Sequence, residues 1–172
     1  MENGIKKILR DKYGLFEKDI EILLEKFTKF SVPKREIILQ EGQTDHYIYF
    51  VEKGIVKSTI LREGREFIIF FALENDAPLS SPNLTESRQS LYTLEAVDTC
   101  ILWRISRKDL ATSFKDSLNL SNWGRMILQE WLTSSAFYFS SIHWMSKKEQ
   151  YQYLLKEMPK LIQRLSMRDL SA

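Results

Sequence analysis

The strongest constraint on the fold is a change of hydrophobic period along the chain. From Ser31 to about Ser106, short β-rich runs recur at roughly ten-residue intervals with turn residues between them, a pattern typical of an antiparallel sandwich or barrel. The runs are residues 37–39, 47–51, 55–61, 67–71, 91–97 and 100–105. Gly42 and Gly54 fall where the chain must reverse, which suits a residue that accepts positive φ.

A helical period precedes this region. Ile20, Leu23, Leu24, Phe27 and Phe30 recur at steps of three and four residues and form one apolar stripe. Charged residues cover the remaining surface. The pattern predicts that residues 1–30 are helical and pack on the domain that follows.

A long helix is predicted after the β-rich region. Asp116 or Ser117 is positioned to cap a helix that continues to about Met145 with no proline inside it. At 1.5 Å per residue, this helix is on the order of 40 Å long.

The helix carries two apolar faces. The first alternates steps of four and three, as a coiled-coil seam does: Leu120, Gly124, Ile127, Trp131, Ser134, Tyr138 and Ser141. The second consists of Leu128, Leu132, Phe139 and Ile142. Two apolar faces require two packing partners. We expect the β domain to cover one face, and a second subunit to cover the seam of Leu120, Gly124, Ile127, Trp131, Ser134 and Tyr138 in a homodimer. The alternative is a central helix buried within one compact domain.

Composition limits the classes of protein. The chain has 172 residues, 44% hydrophobic residues and a formal net charge of +2, so net charge alone does not indicate a nucleic-acid partner. A single cysteine, Cys100, cannot form an intramolecular disulfide. No segment has the length and apolar character of a signal peptide or a transmembrane helix. We therefore expect a cytoplasmic protein without a membrane partner.

Three segments resemble the Crp/Fnr family of transcription regulators. Residues 30–58, FSVPKREIILQEGQTDHYIYFVEKGIVKS, are similar to the start of that family's β-roll, and Gly42 and Gly54 fall on its two glycines. Residues 94–96, followed by a charged turn and residues 100–103, resemble the strand that closes the roll. Residues 145–159 resemble the segment between the dimerisation helix and the winged helix.

The resemblance implies an α+β fold, namely an antiparallel double-stranded β-helix (a jelly-roll-like β-roll) with N-terminal helices and a long C-terminal dimerisation helix. It divides the chain into a cyclic nucleotide-binding-like sensor (1–115), a dimerisation helix (116–146) and a linker leading into a helix-turn-helix domain (147–172). Ser166 and Asp169 match the opening of that domain. We expect its recognition helix to be missing here, so that DNA is a partner of the intact protein alone.

The resemblance also locates the family's phosphate-binding residues. A Gly-Glu pair that opens a short helix and a later Arg-Ser or Arg-Thr pair hold the cyclic phosphate and the ribose. Leu79-Ser80 and Ser90-Leu91 stand at these places, and the nearest arginine, Arg88, is two positions early. Without the arginine, a buried phosphate lacks its partner. We expect no response to cyclic AMP, and we take Leu79, Ser80, Ser81, Arg88, Ser90 and Leu91 as candidate residues of a pocket for an unknown effector. Whether Arg88 swings in to replace the missing arginine is left open.

Other kinds of site find little support in the sequence. The two histidines, His46 and His143, lie far apart, and a cupin-type metal site needs several. One cysteine is too few for an iron–sulfur cluster. Ser80, Ser81 and Cys100 have no histidine within a recognisable nucleophile motif. We therefore predict no catalytic residue, no metal and no cofactor. The aromatic residues of the long helix, Trp123, Trp131, Phe137, Tyr138, Phe139 and Trp144, are interpreted as core and dimer packing or, alternatively, as the lining of an apolar effector pocket between helix and roll.

Two functions remain. The first is the effector-sensing and dimerising portion of a Crp/Fnr-type DNA-binding transcription regulator. The second is a stand-alone cyclic-nucleotide-like module that binds a ligand or a protein without binding DNA. An enzyme is disfavoured because the clusters of His, Cys and carboxylate residues that catalysis uses are missing from the sequence.

Overall fold

The computed structural model describes residues 4–141 and 144–165. The predictions that concern Ile142, His143 and residues 166–172 lie outside this range.

The β-rich region forms an antiparallel roll. Its strands are β1 (Thr28–Val32), β2 (Ile37–Leu39), β3 (Thr44–Asp45), β4 (Tyr47–Lys53), β5 (Val56–Arg62), β6 (Arg65–Ala72), β7 (Arg88–Gln89), β8 (Thr93–Ala96) and β9 (Cys100–Ser106). They pair as β1–β9–β4, as β2–β8–β5–β6, and as β3–β7. Every pairing is antiparallel. The predicted fold class, with helices before the roll and a long helix after it, is confirmed.

The N-terminal region is helical over a shorter range than predicted. Helix α1 (Gly4–Lys7) continues into a π-helical turn (Ile8–Lys12), and helix α2 (Glu17–Leu24) follows. Phe30, the last residue of the predicted helical stripe, instead lies in β1, which pairs with β9 from Thr28 opposite Arg104 to Val32 opposite Cys100. The prediction of helix to residue 30 is wrong at its end, because a ladder of main-chain hydrogen bonds to a distant strand outweighs a local period.

Side-chain caps start the helices that follow the roll. Ser106 accepts a hydrogen bond from the Asp109 N–H at the start of α3 (Arg107–Asp116), and Ser117 accepts one from the Leu120 N–H at the start of α4 (Leu118–Ser140). The 23-residue helix α4 ends before Met145, its predicted end. A capping box of Ser146 and Glu149 begins a separate helix, α5 (Lys147–Glu157), and the short α6 (Pro159–Ile162) follows it.

The core joins the roll to the N-terminal helices and to one face of α4. Trp123 is 1% exposed, and its ring stacks on Phe50 of β4 at a centroid distance of 5.8 Å. Tyr13 and Phe114 meet the same indole edge-on. A second cluster fills the interior of the roll around Val51, Leu94 and Leu102. Helix α4 is therefore packed on its own roll along its first half.

Candidate functional site

The segment between β6 and β8 carries all six candidate effector residues. At its beginning, Asn75 adopts φ +76°, and its N–H donates to the Val51 carbonyl oxygen over 2.8 Å. The Val51 N–H in turn donates to the Asp76 carbonyl oxygen over 2.9 Å. These two bonds fix the tight turn to β4, so that the residues after Asp76 run along the roll towards α4.

A buried charged cluster holds the middle of this segment. Asp45 and Arg107 are 0% exposed and form an ion pair, and the Ser80 hydroxyl donates to Asp45 Oδ2 over 2.5 Å. The Nε of Arg107 donates to the main-chain carbonyl oxygen of Asp45 over 3.1 Å. Among the described residues, Arg107 Nη1 has no hydrogen-bond partner. The pair ties β3, the loop and the start of α3 together, because separating two buried charges costs more free energy than separating exposed ones.

Four of the six candidates lie together on the inner side of the loop. Leu79, Ser80, Ser81 and Ser90 are between 1% and 4% exposed. The Ser90 hydroxyl donates to the Tyr92 carbonyl oxygen over 2.6 Å and lies 3.2 Å from the Ser80 carbonyl oxygen. The hydroxyls of Ser80 and Ser90 are therefore bonded within the protein itself.

Arg88 and Leu91 do not join them. Arg88 lies in β7 with its side chain 65% exposed, and it forms an ion pair with Glu86 at 2.7 Å. Leu91 is 49% exposed.

In the structure these residues do not form the phosphate-binding arrangement that the resemblance implies. The described segment from Ala77 to Ser87 forms no helix, so no helix N-terminus offers its N–H groups to an anion there. Arg88 points outward, and the buried Arg107 is already paired with Asp45. Glu74 and Asp76 lie at the start of the segment, where their carboxylates pair with Arg164 and Lys12. A phosphate beside this segment would be desolvated while Arg88 pairs with Glu86 and Arg107 pairs through Nη2 with Asp45.

A cavity of about 530 Å³ lies between β6 and α4. Its lining residues are Lys12, Phe70, Phe71, Asp76, Ala77, Met126, Gln129, Glu130, Trp131, Thr133, Ser134 and Met158. They come from the π-helical turn, β6, the following loop, α4 and the residue between α5 and α6. The sequence predicts an apolar pocket between helix and roll as one alternative. Of the six aromatic residues named for it, Trp131 alone is among the lining residues.

Charged side chains connect the elements around this cavity. Lys12 Nζ lies 3.0 Å from Asp76 Oδ1 and 3.1 Å from Glu130 Oε2. The Tyr13 hydroxyl donates to Glu130 over 3.1 Å. Burial, and secondly the negative charge of Glu130, raise the pKa of Tyr13 well above its usual range, so this hydroxyl remains a donor. No sequence pattern indicates this group, because its members are far apart along the chain.

The predicted dimer seam of α4 requires correction. Leu120, Ile127 and Trp131 are between 1% and 4% exposed and belong to the chain's own core. Gly124 is also buried, and a Cβ there would lie 2.6 Å from the ring of Phe114 in α3. Ser134 and Tyr138, at the end of the seam, are half-buried. From Leu120 to Trp131 this face is therefore covered by the same chain.

The second apolar face of α4 is exposed in the single chain. Leu128, Leu132 and Phe139 are 38%, 71% and 58% exposed. Together with Ser121, Arg125 and Ser135 they repeat the four-three spacing, displaced by one residue from the predicted seam. We call Leu128, Leu132 and Phe139 the exposed stripe.

The C-terminal segment folds back onto the roll. Leu161 is 0% exposed and packs with Ile55 and Val97. Arg164 binds Glu74 at 2.8 Å and Asp98 at 2.6 Å. Burial alone would raise the pKa of Glu74, but hydrogen bonds from its own N–H, from the Gly54 N–H and from Arg164 together lower that pKa below its usual value. The residues that follow α5 are thus fixed to the turns of the roll.

A metal site or a membrane-spanning helix would point to a different class of partner. Within residues 4–141 and 144–165, no group of three or more His, Cys, Asp and Glu side chains is arranged to hold a metal ion. In the same part of the chain, no helix combines the length and the apolar character needed to cross a bilayer.

Comparison with known proteins agrees with this architecture. The family model described as the cyclic nucleotide-binding domain matches residues 29–117. No curated protein sequence matches the chain.

The similarity to solved structures extends beyond the roll. FixK2 from Bradyrhizobium japonicum is 21% identical with a TM-score of 0.73, over 84% of this chain and 75% of that one. CLP from Xanthomonas campestris, described as a c-di-GMP-responsive global regulator of virulence gene expression, is 18% identical with a TM-score of 0.69, over 84% of this chain and 74% of that one. The regulatory domain of Toxoplasma gondii PKA, crystallised with cAMP, is 21% identical with a TM-score of 0.57, over 63% of this chain. The match spans 42% of that PKA domain.

Proposed function

The chain belongs to the cyclic nucleotide-binding domain family, and we propose that it is the effector-sensing and dimerising part of a Crp/Fnr-type transcription regulator. In this proposal the roll and its N-terminal helices (1–115) receive the effector, and the long helix (116–146) forms the dimer. Residues 147–172 lead to a winged helix that binds DNA in the intact protein, in the cytoplasm.

The exposed stripe of α4 carries the proposal. Leu132 is 71% exposed on a helix whose other face is packed on the roll, and Leu128 and Phe139 continue the same surface. A helix with a second apolar face needs a second packing partner. The simplest closed arrangement is the same stripe of another copy across a two-fold axis. In a regulator of this type, such a helix pair relates two sensors to two DNA-binding domains.

The effector is proposed not to be a cyclic nucleotide. Ser90 stands where the resemblance places the phosphate-binding arginine, and its hydroxyl is bonded within the loop. The protein is proposed to act by binding rather than by catalysis.

Two measurements test this function. Light scattering should give a particle of twice the 20.4 kDa chain mass, and a monomer at micromolar concentration would contradict the dimer. Calorimetry with cyclic AMP and cyclic GMP should give no binding heat, and micromolar affinity for either would contradict the proposed effector chemistry.

A further inference from the structure

We propose that the cavity between β6 and α4 is a binding site for a neutral or cationic apolar small molecule. This inference rests on the proposed function, because it names the class of effector that the sensor would take. It concerns a different set of residues from Leu79, Ser80, Ser81 and Ser90, since none of these four lines the cavity.

The walls of the cavity are partly apolar and partly polar, since six of the twelve lining residues are apolar and the others are Lys12, Asp76, Gln129, Glu130, Thr133 and Ser134. Phe70, Phe71, Met126, Trp131 and Met158 contribute rings and thioethers from several separate elements. The indole N–H of Trp131 is already bonded to the Ala77 carbonyl oxygen over 2.8 Å, so it presents no unsatisfied donor to a ligand. A volume of about 530 Å³ is in the range of small-molecule pockets. The apolar part of the wall favours an aromatic or aliphatic ligand body, because burying that body there removes apolar surface from water.

The charges around the cavity disfavour an anion. Among the described residues that line the cavity, Lys12 is the cation, and Asp76 and Glu130 are both within 3.1 Å of its amino group. Two carboxylates and one ammonium leave one net negative charge. Asp76 is held further by the Leu73 N–H and Glu130 by the Tyr13 hydroxyl. A phosphate or sulfonate would have to break the Lys12 pairs and then lie beside both carboxylates, whereas a neutral or cationic molecule meets no such cost.

The position of the cavity would allow a bound effector to alter the conformation of the segment after α5. The α4 residues that line it, among them Met126 and Glu130, lie on a different side of the helix from Leu128 and Leu132, so a ligand and a second subunit do not compete. Met158 borders the cavity and lies three residues before the buried Leu161. A ligand would therefore touch the roll, α4 and the segment that leads out of the sensor.

A pair of fluorescent probes tests the proposal. N-phenyl-1-naphthylamine is neutral, and 8-anilino-1-naphthalenesulfonate carries a sulfonate on the same aromatic framework. We expect saturable binding of the neutral probe and an affinity for the anionic probe that is at least about tenfold weaker. Replacing Glu130 with Gln should narrow this difference to about threefold or less, because one of the two carboxylates is removed.

Two cavity-filling variants locate the binding. Ser134→Trp places a large side chain in the cavity and should abolish binding of the neutral probe, and Thr133→Phe serves where Ser134→Trp does not fold. The Leu132→Glu variant, altered on the opposite side of the helix, should bind the probe as the unmodified protein does.

The outcomes separate this inference from the proposed function. Equal or tighter binding of the anionic probe, probe binding that survives both cavity-filling variants, or displacement of the probe by cyclic AMP would overturn the inference. Failure to bind the neutral probe by a protein that is dimeric would also overturn it while the proposed dimer stands. A monomeric protein that binds the neutral probe in this cavity would support the inference and contradict the proposed dimer.

Discussion

The indole N–H of Trp131 donates a hydrogen bond to the main-chain carbonyl oxygen of Ala77 over 2.8 Å. Trp131 lies in the middle of α4, and Ala77 lies in the loop after β6. The bond fixes the rotation of the long helix against its own roll. It thereby turns Leu132, the next residue, towards solvent, since successive residues on a helix are about 100° apart.

The first prediction concerns the exposed stripe. Leu132→Glu is expected to convert the proposed dimer to a monomer, because it places two carboxylates in an apolar interface. Light scattering measures the mass, and the monomeric variant should still unfold cooperatively in urea, since Leu132 is 71% exposed and contributes little to the core of the single chain. Asn122→Glu is the matched control, because it adds the same charge at an exposed position of α4 outside the stripe.

The neighbouring residue gives the opposite expectation. Trp131→Glu should lower the free energy of unfolding of the monomer itself, because it puts a charge into the core at a site that is 4% exposed. A stable, folded monomer for Trp131→Glu together with an unchanged dimer for Leu132→Glu would mean that the two faces of α4 are assigned the wrong way round.

The second prediction concerns the buried ion pair of Asp45 and Arg107. Arg107→Met leaves the Asp45 carboxylate buried without its partner and is expected to cost about 3–5 kcal/mol of stability in urea unfolding. The double variant Asp45→Asn, Arg107→Met should be more stable than Arg107→Met alone, because no buried charge is left unpaired. Arg62→Met is the control, since its ion pair with Glu41 lies at the surface and should contribute less than about 1 kcal/mol. Equal losses of stability for Arg107→Met and Arg62→Met would contradict the conclusion that burial makes the first ion pair the more important one.

The third prediction concerns a glycine at the close approach of two turns. Gly54 has φ +103°, and a Cβ there would lie 2.6 Å from Cys100 Sγ and 2.9 Å from the Cys100 Cα. Gly54→Ala is expected to cost about 3 kcal/mol or more, since both strain and overlap oppose it. Gly64→Ala is the control that measures the cost of the backbone conformation alone, because Gly64 has φ +75° and an added Cβ would have no neighbouring atom within 4 Å. This variant should lose about 1 kcal/mol of stability. Thermal and urea unfolding compare them, and equal costs would disprove the close contact.

The fourth prediction uses the lowered pKa of Glu74. Because its folded-state pKa lies below the ordinary value of 4.5, Glu74 stabilises the fold above that pH, and this contribution is lost as pH falls through the folded-state pKa. The stability difference between the unmodified protein and Arg164→Gln should therefore be constant near neutral pH and shrink below about pH 4.5. Urea unfolding between about pH 3 and pH 7 measures it. In a Glu74→Gln background the effect of Arg164→Gln should lose part of this pH dependence, since the ion pair of Arg164 with Asp98 remains. If the stability difference between the unmodified protein and Arg164→Gln persisted unchanged in acid, the stabilising effect of Arg164 would not depend on the charge of Glu74.

The strands of the roll can be predicted from the sequence with good accuracy. Runs such as 47–51 and 67–71 alternate or concentrate β-formers between turn residues, and they lie within β4 and β6. Gly54 is recognisable as a reversal because few other residues tolerate its conformation. The end of the N-terminal helical region is not predictable in this way, since residues 28–30 continue a helical period and become a strand only through pairing with β9.

The candidate site is predicted less well, for reasons of geometry. Arg88 is two positions from the place that the resemblance gives to the phosphate-binding arginine, but an arginine side chain is long enough for either orientation, and its ion pair with Glu86 is a contact that spacing alone does not decide. The cavity beside Trp131 is formed by segments as far apart as Lys12 and Met158. No local pattern relates such residues.

The sequence by itself determined that a roll of short strands is followed by a helix with two apolar faces, because strand and helix periods are local properties of the chain. The tertiary structure decided which face of this helix packs on the roll and which is exposed. The predicted seam and the exposed stripe have the same four-three spacing and are displaced by one residue, so hydrophobicity alone does not distinguish them. The distinction comes from contacts with distant parts of the chain: the ring of Phe114 against Gly124, the stacking of Trp123 on Phe50, and the bond from Trp131 to Ala77.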